Sequence, residues 1–362
     1  MAGFGARLRR TIVLLLATLL ATTSLAGCSE TKVTSAELSL PVIDGSVLAL
    51  LDPGAERPPG TTSLAGALAA ALPAAEVVET PTHDEQDARV RAAADAGVAI
   101  LLVQAIDAER IGSALSAAAK TDMLVVAVGV IPHDFGSIDL FIGWDEFSAG
   151  EQEVAAFARA VGIEEGRTKY LELLAGDESD LGARARFHGA LFALKAFTEQ
   201  GTLSVKSGRT SFETAAVDPG DVAAARKALG TTYAVTYPRH ELQGVIIPTD
   251  DLAPMVRELA DEHDQPAPLL MSSGASAAGI TELMAGTLLT TMYRDPATLA
   301  GRIADAVTTL QAGDPVTVNP QGSRRNRLKR KPALLVPPVL VSADNAAAVL
   351  ADNPELAPLT KA

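Results

Sequence analysis

Trp144 and Asp145 set an aromatic face beside a carboxylate at one point of the chain. Leu140 to Ile142 is an apolar run that reads as a strand, Gly143 ends it, and Trp144 is the single tryptophan. Asp145 stands where a helix N-cap belongs, because Val154, Phe157, Ala158 and Val161 behind it fall on one helical face. A strand stops, an indole stands at its carboxyl end, and a helix starts on a capping acid. In open α/β sheets ligands sit at the carboxyl ends of strands. This stretch therefore predicts a cleft for a small molecule beside the first crossing between two lobes.

Covalent and metal chemistry find no comparable pattern. His83, His133, His188, His240 and His263 are scattered, with none of the spacings of metal ligands. No Gly-x-Gly-x-x-Gly follows a strand, and there is no P-loop, Gly-x-Ser-x-Gly elbow or His-Glu-x-x-His. The expectation is a protein that is not an enzyme and carries no cofactor and no metal. The one cysteine, Cys28, excludes an intrachain disulfide. Its context assigns it other chemistry. Arg7 to Arg10 is a positive start, Thr11 to Leu20 a short apolar stretch, and Leu25-Ala26-Gly27-Cys28 matches the bacterial lipoprotein box, in which the Cys takes lipid as the leader is cut. Residues 1–27 are then a signal peptide and 28–45 a tether. The mature chain is expected on the extracytoplasmic face of the cell membrane, lipid-anchored through Cys28.

Composition narrows the partners. The 362 residues are 48% hydrophobic with a mean hydropathy of +0.21, enough for two domains and an ample core. The net charge of −14 argues against nucleic acid, which needs a basic footprint, and favours a self-repelling monomer. One basic run, Arg324 to Lys331, interrupts the acidity; it reads as a solvated loop or as a contact with anionic lipid head groups near the anchor.

The elements that must hold the cleft follow a period of roughly 25–30 residues, strand then helix, which means βαβ units and parallel sheets. Strands are expected at Ser46–Leu51, Glu76–Glu79, Val98–Val103, Met123–Val128, Tyr170–Leu174, Leu203–Lys206, Gly244–Pro248, Leu269–Met271 and Leu288–Tyr293. Between them fall helices from Ser63, from Asp84 to a C-cap at Gly97, from a cap at Asp107, over Leu181–Glu199, Val222–Leu229, Leu252–Glu262 and Gly279–Ala285, and over Pro296–Gln311. Leu334 to Val341 is apolar but holds two prolines, so it is an edge strand or a crossing. The fold class is α/β, two doubly wound parallel-sheet lobes.

Several strings resemble a known family. Val98-Ala-Ile-Leu-Leu-Val-Gln-Ala-Ile-Asp107, with the helix and strand after it, is similar to the first lobe of type I periplasmic solute-binding proteins of sugar ABC transporters, as is Gly143-Trp-Asp-Glu-Phe-Ser-Ala-Gly150. Leu173-Leu-Ala-Gly176, Phe187-His-Gly-Ala190 and Val205-Lys-Ser-Gly208 resemble the multiple-sugar and xylose-binding branch, and Thr290-Thr-Met-Tyr-Arg-Asp295 continues the likeness. The resemblance implies two lobes on a three-segment hinge, a sugar-like ligand buried between them, and a membrane ABC permease that reads the closed form. The crossings would fall near Trp144–Asp145, Tyr293–Asp295 and Lys331–Leu335. The first lobe would comprise 46–144 plus 295–331, and the second 145–294 plus 332–362.

The same resemblance nominates ligand contacts. Gln104 ends a strand where relatives present an amide to a sugar hydroxyl, or is a plain loop amide. Arg186 stands where relatives place an Arg or a stacking aromatic, or is a solvated helix arginine. Asp250 matches an acid that grips hydroxyls, or caps the next helix. Arg294 matches a polar residue of the second crossing, and Glu56 and Arg57 occupy a loop of polar contacts. Trp144 either stacks on a sugar ring or packs in the hinge. The chain also departs from the pattern. Val128-Gly129-Val130 replaces an Asp-Arg pair, Ser273-Gly274 replaces Gln-Asp, and Ala185-Arg186 replaces a double aromatic. With those sugar clamps missing, Arg186 and Arg294 favour an acidic or phosphorylated ligand. The alternatives are an extracytoplasmic sensor of the same fold and a scaffold with a degenerate site.

Overall fold

The computed structural model describes residues 36–40, 42–133, 135–164, 166–319 and 331–361. The described residues start with β1 (Ala36–Leu38) and then wind the first lobe. Its elements are β2 (Val47–Leu51), α1 (Leu64–Ala71), β3 (Glu76–Glu79), α2 (His83–Ala96), β4 (Ile100–Val103), α3 (Gly112–Ala118), β5 (Leu124–Val128) and β6 (Leu140–Trp144). The second lobe follows with α4 (Glu146–Val161), β7 (Lys169–Leu173), α5 (Leu181–Glu199), β8 (Leu203–Ser204), α6 (Phe212–Ala215), α7 (Val222–Thr236), β9 (Gly244–Ile246), α8 (Ala253–Glu262), β10 (Leu269–Met271), α9 (Ala277–Met284) and β11 (Thr291–Tyr293). The chain returns to the first lobe in α10 (Pro296–Ala312), β12 (Val316–Val318) and β13 (Ala333–Val336). It ends in the second with β14 (Val339–Val341) and α11 (Ala346–Val349).

The first sheet is parallel, in the order β13-β6-β5-β4-β2-β3, and the second holds β10-β9-β7-β8, also parallel. Continuous apolar strands suit such sheets because both faces are covered. Along β4, Ile100 and Leu102 enter the core shared with α1 and α10, while Leu101 and Val103 enter the core shared with α2 and α3. The second sheet lies likewise between a core with α4 and α5 and another with α7, α8 and α9. Helix starts match their caps: Ser63, Asp145, Asp180, Asp221 and Asp295 each accept a hydrogen bond from the first turn.

Four expectations need correction. Asp107 caps a turn, accepting from the Glu109 and Arg110 amides, and α3 begins only at Gly112. Helix α7 runs past Gly230 to Thr236, because Tyr233 beyond it is buried in the second core and packing outweighs the glycine. The tail is both things expected of it. β13 forms the edge of the first sheet beside β6, Pro337 and Pro338 make the crossing, and β14 pairs antiparallel with β11. The third crossing therefore lies after β13, not near Lys331–Leu335. Finally, the stretch assigned to a tether contributes to the fold, since β1 pairs with β12 and Leu38 and Ile43 are buried. Residues 1–35, with Cys28, and the basic run up to Arg330 lie outside the described residues.

Helices α4 and α5 approach as closely as backbones can. A methyl at Gly150 would overlap the Arg186 carbonyl, and one at Gly189 the Phe147 carbonyl. Gly150→Ala should force the helices apart and cost about 1–3 kcal/mol in urea unfolding. An unchanged denaturation midpoint would show that the contact is not tight.

Candidate functional site

Among the described residues three crossings join the lobes: Trp144–Glu146, Tyr293–Asp295 and Pro337–Pro338. The Asp145 amide donates to the Val336 carbonyl at 2.8 Å, lacing the first crossing to the third. Arg294 laces the second to the first. Its Nε and Nη2 donate to the two oxygens of Glu146 at 2.8 and 2.5 Å, and Nη1 donates to Ser273 Oγ at 2.6 Å. Burial works against the Arg294 charge, but the Glu146 carboxylate beside it, with Glu153 and Asp180 beyond, holds its pKa above the usual arginine value. Burial raises the Asp180 carboxyl, which also feels Glu146.

Arg186 is neither solvated nor open to the cleft. It is only 6% exposed, and its Nε donates to both oxygens of Glu153 at 3.1 and 2.9 Å. Its Nη2 donates to Glu153 and to the Ile247 carbonyl, and Nη1 reaches the Pro248 carbonyl at 3.5 Å. Glu153 is fully buried. Burial pushes its carboxyl up, against the pull of Arg186. The positive charge expected to meet an acidic ligand is thus met by Glu153 and Glu146.

Asp250 follows β9 two residues after the Arg186 contact and is 5% exposed. Its Oδ1 accepts from Ser272 Oγ and from Thr291 Oγ1 at 2.8 Å, and its Oδ2 accepts from the Ser276 amide at 2.7 Å. It does not cap its own helix; it fixes Ser276, the N-cap of α9. Its amide donates to the Ser273 carbonyl at 3.2 Å, so Arg186, Asp250 and Arg294 form one network along the carboxyl edge of the second sheet.

The first lobe presents Gln104 at the end of β4, 7% exposed. Gln86, completely buried, donates from Nε2 to Thr80 Oγ1 at 3.0 Å and to the Gln104 carbonyl at 2.9 Å, and accepts from the Ile106 amide at 3.2 Å. That clamp fixes the backbone, and the Gln104 Oε1 accepts from the Asp52 amide at 3.4 Å. Among the described residues its amide nitrogen meets no acceptor. It faces Gly129, where a Cβ would stand 3.3 Å away. Trp144 is half-buried against the first core, which is the hinge-packing alternative. Glu56 and Arg57 are exposed and apart from these groups. Arg57 Nε donates to the Thr61 carbonyl at 3.3 Å and lines an open groove of about 520 Å³ with Pro59, Gly60 and Glu355.

Sequence reasoning missed Glu146, Glu153 and Gln86. A signal for Glu153 existed: it is an acid on the inward stripe of α4, between Gly150 and Val154 and Phe157. Among the described residues no cluster of three or more His, Cys, Asp or Glu could hold a metal, and no helix is long and apolar enough to cross a membrane.

Known proteins share this architecture. The model of the periplasmic binding protein domain matches residues 63–315. The multiple sugar-binding periplasmic receptor ChvE of Rhizobium radiobacter is 24% identical over 263 residues, 71% of this chain and 74% of its own. The multiple sugar-binding periplasmic protein SbpA of Azospirillum brasilense is 25% identical over 260 residues, 70% of this chain and 72% of its own. An ABC transporter solute-binding protein from Clostridium phytofermentans with bound β-D-glucose has the same fold. Its TM-score is 0.68 at 20% identity, covering 86% of this chain and 98% of that one.

The buried pair can be tested by a double-mutant cycle. Glu153→Leu or Arg186→Met alone leaves an unpaired buried charge and should cost about 3–5 kcal/mol in urea unfolding. The double replacement should recover much of that loss. It should also remove one component of the pH dependence. The Glu153 carboxyl holds its proton more tightly folded than unfolded, so its contribution to stability falls as pH climbs past the ordinary value of 4.5. Additive single and double effects would contradict the pairing.

Proposed function

The chain belongs to the periplasmic binding protein domain family, and on that footing we propose that it is a lipid-anchored extracytoplasmic receptor. It captures a small uncharged ligand, a sugar or sugar derivative, between its lobes and presents it to an ABC permease. The observation that carries the ligand class is the contrast across the cleft. In the second lobe the two guanidinium groups nominated for an acidic ligand are matched by carboxylates. In the first, the Gln104 amide nitrogen is a donor without an acceptor among the described residues. A donor that the protein leaves free suits a hydroxyl oxygen, and such a hydrogen bond contributes about 0.5–1.5 kcal/mol. The names of the curated relatives, both multiple sugar-binding proteins, support the same class.

The chemistry is capture, not turnover. Gln104 would donate to a ring or hydroxyl oxygen from one lobe. The Asp250 network would hold the edge of the other lobe rigid, so that little order is lost on binding. Trp144 at the first crossing would report closure by its fluorescence. Lipid on Cys28 would keep the receptor at the membrane, and the leader Arg7 to Gly27 supports that reading.

Thermal unfolding of the soluble form from Ser29 onward tests the ligand class. A neutral sugar should raise the midpoint, with a stabilisation of about 2.7 kcal/mol at a hundredfold excess over Kd. Gln104→Ala should weaken that sugar about tenfold. No shift with any sugar, or larger shifts with sugar acids or phosphates, would contradict the reading. Cys28→Ala should move the full-length protein from the membrane to the soluble fraction, and retention in the membrane would remove the anchor.

A further inference from the structure

We propose that the C-terminal segment is a fourth, non-covalent tie between the lobes, and that Asn353 and Gly60 set ligand affinity without touching the ligand. The inference rests on the two-lobe receptor reading above. The loop from Asp52 to Thr62 belongs to the first lobe: it follows β2 and leads into α1, whose Leu64 and Leu68 lie in the first core. Residues 353–355 belong to the second, because Leu350 and Leu356 on either side are buried in its core.

Asn353 joins them. It is 5% exposed, and both halves of its carboxamide are engaged. Its Oδ1 accepts from the Glu355 and Leu356 amides at 3.0 and 2.9 Å, which folds its own segment. Its Nδ2 donates to the Pro59 carbonyl at 2.8 Å and to Tyr293 Oη, in the first residue of the second crossing, at 3.4 Å. Gly60 makes the approach possible. Its φ is +70°, and a Cβ there would stand 2.5 Å from Asn353 Oδ1 and 3.0 Å from the Glu355 amide nitrogen. The loop is stiffened for the contact, since Thr61 Oγ1 donates to the Pro58 carbonyl at 2.6 Å.

A second contact closes the other flank. His133, after β5 in the first lobe, meets the Ser179 carbonyl of the second at 3.3 Å, and Leu181 packs against the first lobe's core. The lobes therefore touch on both sides, as a closed form does. Binding proteins of this kind move by hinge rotation. Rotation to an open form separates Pro59 from Asn353. A contact made only in one state shifts the balance toward it by that contact's own free energy, and the apparent Kd follows the fraction that is competent.

Asn353→Asp isolates the tie, because the carboxylate keeps the acceptor that folds residues 353–356 and loses the donor to Pro59. Gly60→Ala attacks the same contact from the other lobe. Ligand-free variants should show a larger radius of gyration by solution scattering than the unmodified protein. Each should bind D-glucose roughly 3- to 10-fold more weakly, and the double variant no more weakly than the worse single. Radius and Kd unchanged in both variants would overturn the proposal. If the unmodified protein bound no D-glucose, the sugar reading would fall while the scattering comparison still decided this one. Should Asn353→Asp fail to fold, Gly60→Ala alone decides by the same two readouts.

Discussion

The buried pair of Glu153 and Arg186 is the constraint on which the second lobe depends. It joins α4, α5 and the end of β9 through one guanidinium, and it sits where Gly150 and Gly189 let the two helices touch. Burying two charges is expensive, and the pair returns little net stability relative to an apolar filling. Its value is placement. Arg186 can satisfy Glu153 and the Ile247 and Pro248 carbonyls together only if both helices and the strand keep their relative positions. The chain that carries Asp250 leaves the sheet from that fixed point.

From there the network runs outward to the hinge. Asp250 fixes Ser272, Ser276 and Thr291, Ser273 meets Arg294, and Arg294 holds Glu146 across to the first crossing. These bonds tie the second lobe together from its core to its crossings. The same pairing matches both arginines with carboxylates, so neither is left as an unpaired positive charge.

Most of the fold was legible in the sequence. The apolar runs of β4 and β5, the Asp and Ser caps and the left-handed Gly97 and Gly313 act locally, and local rules read them. Leu181–Glu199 matches its helix end to end. What failed to read depends on distant partners. Nothing near Arg186 in sequence points to Glu153, and Asn353 lies 294 residues from Pro59. Pairing of β13 with β6 likewise requires the whole first lobe to be in place. In the candidate site, Gln104 and Asp250 stand at strand ends, Arg294 at a crossing and Arg186 inside α5, and the partners of the arginines change what charge they can offer. Glu56 and Arg57 stand apart, in the loop that meets the C-terminal segment.

Calorimetric titration with D-glucose over a range of temperatures tests most directly that this chain captures a neutral sugar by closing two lobes. Saturable one-to-one binding with a clearly negative heat-capacity change is the expected result, because closure buries apolar surface beyond the sugar's own. Binding with a heat-capacity change near zero would mean that the lobes do not close. No heat from D-glucose or from other neutral sugars would contradict the receptor reading itself.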